Sequence, residues 1–117
     1  MTLNTLLEKL QNTPESIEFS DVIALIDALY EFTPTTFTNG DVRNEAGQNS
    51  GSCKLFAFAQ LQNLSEAHTL ACFGAFYRQD VLGNADGQDH QNIRNFIKTG
   101  WPGVAFAGQP LTAKASV

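Results

Sequence analysis

The side chains with the widest chemical reach in this chain are two cysteines, Cys53 and Cys72, and two histidines, His68 and His90. Gly51-Ser52-Cys53 follows Gln48 and runs into an apolar stretch, so Ser52 reads as a helix N-cap with Cys53 and Lys54 in the first turn. A thiol placed there ionises more easily, because free backbone N–H groups and the helix dipole favour negative charge. A glutamine just upstream can donate to an oxyanion. The segment thus has a superficial likeness to the nucleophile region of papain-like cysteine proteases, with Cys53 as nucleophile and His90 as base. The rest of that pattern is missing. Lys54 stands where those enzymes carry Trp or Tyr, and His68 and His90 lie far closer to the cysteine than their spacing of roughly 130 residues. A buried structural thiol is the simpler reading.

Metal chemistry has less to start from. Cys53, Cys72, His68 and His90 contain no short C-x-x-C or H-x-x-x-H pair. Gly83-Asn84-Ala85-Asp86-Gly87 has the look of a calcium loop, but a loop beginning at Asn84 puts Asp89 where the glycine belongs and Asn95 where the bidentate glutamate belongs. No cofactor is expected.

Binding is better supplied with groups. From Phe37 to Phe58 a Gly/Asn-rich loop leads into the apolar helix, with Asn39-Gly40, Gly47 and Gly51 free to take positive φ. Asn44, Gln48, Asn49, Ser50 and Ser52 can bond nearby backbone groups, which predicts an ordered loop rather than a linker. A second polar cluster, Asp89, His90, Asn92 and Arg94, opens a later helix, where His90 can titrate near neutral pH and Arg94 can hold a carboxylate or phosphate. The candidate ligand-binding set is therefore Asn39, Asn44, Gln48, Asn49, Ser52 and Cys53 together with Asp89, His90, Asn92 and Arg94, around a polar pocket where the loop meets that helix. The competing reading is that both segments only cap helices and tie the loop to the core.

Five helices are expected to position these groups. Leu3, Leu6, Leu7 and Leu10 predict one over Thr2–Gln11; Ser20 caps a second that runs to about Phe32, before Thr33-Pro34. A third covers Cys53 to Leu61 and is apolar nearly all round. Ser65 caps a fourth that continues to Val81, with Gly74 marking a close approach of another element. Asp89 caps the fifth, which ends with Gly100 at C′, Trp101 folded back on Phe96, and Pro102. Helices three and four should form a central antiparallel hairpin around Phe56, Phe58, Phe73 and Phe76. Thr33–Thr38, Val104 and Phe106 can be extended, but no convincing partner runs predict a sheet, and the tail after about Leu111 should fray. The expectation is a single all-α domain over residues 1–117.

Charge narrows the partners. With 7 Lys+Arg and a net charge of −5, the surface is too poor in cations to neutralise a phosphate backbone, which argues against nucleic acid. No apolar run approaches the roughly 20 residues needed to span a bilayer, and the N-terminus lacks the basic-then-apolar pattern of a secretory signal, so a soluble protein made in the cytoplasm is expected. Two cysteines in apolar helical surroundings suit a reducing cytoplasm.

The segments GDVRNEAGQNSGSCKLFAFA, TLACFGAFYRQDVL and DHQNIRNFIKTGWPGVAF, spread between Phe37 and Leu111, resemble the HopJ type III effector family of proteobacteria. The resemblance implies a small, largely helical, single-domain protein and brings no established catalytic residue to any position here. It also implies delivery through type III secretion. Such export relies on a flexible N-terminal segment, whereas the leucine stripe packs from the first turn, which favours a resident cytoplasmic protein. Two functions are carried forward: a non-enzymatic module binding a protein or a small anionic ligand, and a Cys53-dependent hydrolase-like enzyme.

Overall fold

Helix α1 (Leu3–Asn12) begins where Thr2 accepts a hydrogen bond from the Thr5 N–H, and it buries Leu6 and Leu10 of the leucine stripe. The computed structural model describes residues 1–114. After a 3-10 turn at Pro14–Ser16, α2 (Phe19–Leu29) buries Val22, Leu25 and Ile26. Ser20 lies inside α2 rather than capping it; Glu18 holds the cap position with no side-chain bond.

The fold is mixed α/β and not all-α: two small antiparallel sheets, one of 2 strands and one of 3, accompany the helices. Helix α2 does not reach Phe32. Tyr30–Phe32 leave it as strand β1 and pair with β5 (Leu111–Ala113), Tyr30 opposite Ala113 and Phe32 opposite Leu111. Two aromatic residues ahead of Pro34 suit an extended backbone, and the pairing outweighs their continuation of the helical apolar face. The segment expected to fray thus supplies a strand; residues 115–117 lie outside those described. In the second sheet β2 (Phe37–Asn39) is central, flanked by β3 (Val42–Asn44) and β4 (Val104–Phe106). The β2–β3 hairpin closes through Gly40 and Asp41, with Gly40 at φ 59, so half of the supposed loop is a hairpin.

Helix α3 (Ser50–Leu61) runs through the middle and buries Cys53, Leu55, Phe56, Ala57, Phe58 and Ala59, as its all-round apolar pattern requires. Its Phe56 is the hub of the core. The ring lies 5.0 Å from Phe96, 5.4 Å from Phe73, and 6.3 Å from both Phe37 and Trp101. Helix α4 (Glu66–Ala71), capped by Ser65, is too short to make the expected hairpin with α3. Gly74 stops it: its φ is +64, and a Cβ there would lie 2.8 Å from the Phe19 backbone nitrogen, so the chain needs glycine where α2 crosses. A π-helical turn, Phe76–Val81, follows. Phe76 is 40% exposed and so belongs to the surface, not to the centre of the core. Helix α5 (Gln91–Thr99) ends at Gly100, and Trp101 packs edge-on to Phe96 at 5.0 Å.

Candidate functional site

The polar loop and the start of α5 do meet, through asparagines. Asn44 and Asn92 bond reciprocally, Nδ2 of each donating to Oδ1 of the other at 3.1 and 3.0 Å. Asn39 adds Nδ2 bonds to the Asn92 carbonyl and Oδ1, and Asn49 donates to Asn44 Oδ1 at 2.6 Å. Asn39, Asn44 and Asn92 are buried, so their amides are committed to joining the hairpin to α5. One atom of the network, Asn39 Oδ1, has no partner among the described residues.

Arg94 is similarly committed. Its guanidinium donates to the carbonyls of Asp80, Asn84, Ala85 and Asp89 and to Asp89 Oδ1, which fastens the loop before α5. That hydrogen bond, with the guanidinium charge, holds the Asp89 carboxyl below its ordinary range. Asp89 does not cap α5. The cap position belongs to His90, in the left-handed region at φ 50. Its Nε2 lies 3.1 Å from Asp80 Oδ2, and its ring packs on Phe76 at 5.1 Å.

At the other helix, Asn49 and not Ser52 is the N-cap, also left-handed at φ 50; Ser52 sits inside the first turn. The Cys53 N–H is bonded to the Asn49 carbonyl, so Cys53 is already past the free N–H groups. Its thiol is buried against the Thr35 carbonyl, and desolvation pushes its pKa up to about 11, the reverse of activation. Burial likewise pushes Cys72 up to about 12. Among the described residues no hydrogen bond joins Cys53 to His90, whose ring nitrogen faces Asp80 instead. Gln48, proposed to serve an oxyanion, accepts from the Glu45 N–H in its own exposed turn. Among the described residues no three His, Cys, Asp or Glu side chains group to hold a metal ion, and no helix is long and apolar enough to cross a membrane.

Between the starts of α3 and α5 lies a cavity of about 480 Å³, within the range of roughly 300–1,000 Å³ common to small-molecule sites. Phe19, Phe73, Phe76 and Ile93 give it apolar lining; Asn49, Ser52, His90, Gln91 and Asn92 give it polar lining. Among the described residues neither helix has a side-chain cap bond, so the N–H groups of Ser50, Gly51 and Ser52 on one and Gln91 and Asn92 on the other lack intrahelical partners. Of the expected set, Asn49, Ser52, His90 and Asn92 line this space; Asn39, Asn44, Gln48, Cys53, Asp89 and Arg94 do not. Phe19, Phe73, Phe76, Gln91 and Ile93 also line it and lie outside the expected set; the apolar spacing assigns Phe73 and Phe76 to the core. Nothing in its sequence neighbourhood separates Phe76 from the core phenylalanines, because Tyr77 and Val81 continue the apolar arc.

One comparison with known proteins gives a family, and none gives an activity. The chain matches the HopJ type III effector protein family over residues 3–111. It is also similar to the crystal structure of VPA0580, a protein described as of unknown function, with 53% identity, a TM-score of 0.94, and coverage of 97% of this chain and 95% of that one. No curated protein matches. With a match over nearly its whole length, the chain belongs to the HopJ type III effector protein family.

Proposed function

We propose that this protein is a non-enzymatic binding module that holds a small organic acid in the cavity between α3 and α5. The observation that carries the reading is that two helices, without side-chain caps among the described residues, begin in the lining of one cavity that also holds aromatic rings. Uncapped helix N-termini present free N–H donors and positive dipole ends, which favour an anionic head group, while the Phe19, Phe73 and Phe76 rings favour an apolar body. Benzoate is a minimal probe with both parts. Nothing supports a Cys53-dependent enzyme: the thiol is buried, its ionisation is suppressed, and among the described residues it bonds the Thr35 carbonyl rather than a base. Residence in the cytoplasm belongs to the same proposal, since two free buried thiols suit a reducing compartment.

Thermal melting with added ligand tests the reading. Benzoate at about 100 times its dissociation constant should stabilise the fold by about 2.7 kcal/mol, and benzyl alcohol, which lacks the charge, should not. Ser52→Phe, which fills the cavity, should remove the benzoate effect. Equal shifts with benzyl alcohol, or none with benzoate, would contradict it.

A further inference from the structure

We propose that Asp80 is a positioning residue that fixes His90 as the proton-carrying contact of this cavity, so that a small acid is bound together with a proton. The inference rests on the reading that the cavity holds a small anion. Three features converge on His90. Its backbone is left-handed at φ 50, uncommon for a residue with a side chain; its ring packs on Phe76; and its Nε2 meets Asp80 Oδ2 at 3.1 Å. Phe76 and Asp80 both come from the π-helical turn, and such turns recur at functional sites. One irregular turn therefore supplies both the ring and the carboxylate that orient the imidazole.

An ionised carboxylate only accepts hydrogen bonds, so the proton shared with Asp80 sits on Nε2, and Nδ1 is the ring nitrogen left for a ligand. In the neutral ring Nδ1 is a lone-pair acceptor backed by a carboxylate, an arrangement that repels an anion. In the protonated ring Nδ1 donates, and the imidazolium bridges Asp80 and the ligand's acid group. Two other charged groups stand near. Asp89 Oδ2 lies 3.8 Å from His90 Nε2, but Asp89 is bonded to Arg94 through its other oxygen, so those two charges largely offset each other. Among the described residues the Asp80 carboxylate has no ion-pair partner other than His90, and the Arg94 guanidinium reaches only the Asp80 backbone carbonyl, at 3.3 Å. The carboxylate charge is what requires the proton. Binding then transfers one proton from solvent to Nδ1 and breaks no covalent bond, and the neighbouring Phe76 ring favours the cation formed.

Calorimetric titration of the whole chain with benzoate, between pH 5 and 8 and in buffers of different ionisation enthalpy, counts that proton. Binding should take up a proton, and affinity should fall as pH rises. His90→Asn keeps a residue tolerant of left-handed backbone and should abolish the uptake; Asp80→Asn should reduce it, and Asp80→Glu should restore it. A purely structural role for Asp80 would change melting without changing the proton count. Should the Asp80 variants fail to fold, NMR of the wild-type His90 ring decides: benzoate should convert it to the protonated form. Benzoate binding with pH-independent affinity and no proton uptake overturns this inference and leaves the cavity reading standing. Failure of benzoate to bind at any pH overturns both.

Discussion

Asn44 and Asn92 exchange two hydrogen bonds across 48 residues of chain, and this reciprocal amide pair fixes the β2–β3 hairpin to the first turn of α5. Truncating Asn44 to alanine strands polar groups of both Asn49 and Asn92, Asn92 in a buried place. The cost should be about 1–3 kcal/mol in a denaturant melt. A double-mutant cycle with Asn92→Ala should show coupling, because the second truncation removes a group already deprived of its partner. Additive losses would mean that the two amides do not act as a pair.

Phe56 and Phe76 should separate clearly. Phe56 is fully buried among four aromatic rings, so Phe56→Ala should cost about 3–5 kcal/mol. Phe76→Ala should cost much less, since 40% of that residue is exposed, while weakening benzoate binding. Urea unfolding midpoints compare the two directly.

The long elements were legible because helices of this length declare themselves by apolar spacing; the all-round pattern of α3 and the Trp101 fold-back onto Phe96 both follow from residue order. The strands were not, for a physical reason. Each is three residues long, too short for an alternation to register, and β5 exists because Tyr30–Phe32 lies beside it. Asn39-Gly40 did carry a hairpin signal, flanked by Phe37 and Val42. At the site, spacing brought the polar loop and the start of α5 under suspicion but could not divide their residues. Asn44 and Arg94 have the chemistry of ligand-binding groups; only their partners reveal that the fold has already taken it up.

Cys53 should behave as an inert thiol. With its pKa raised from 9.0 to about 11 it stays protonated at neutral pH, and alkylation by iodoacetamide should run far below the rate of a free cysteine. The linkage has a definite sign. A thiol whose folded pKa lies above the unfolded one adds stability that is complete below about pH 9 and is lost as pH rises through about 11. Cys53→Ala should flatten that alkaline decline in melting temperature.

Asp89 works at the opposite end of the pH scale. Its folded pKa is depressed, first by the hydrogen bond from Arg94, so its contribution is present above the ordinary carboxylate range and is lost as pH falls through the lowered value. Melting followed from neutral to strongly acid pH should show a shallower acid decline for Asp89→Asn than for the wild type.

The central claim, that the cavity between α3 and α5 receives a small acid, is tested most directly by an amide NMR titration with benzoate. Shifts should concentrate at the N–H groups of Ser50, Gly51, Ser52, Gln91 and Asn92, which lack intrahelical partners, and should saturate. Saturating shifts confined to another surface, or none at these amides, would contradict the claim.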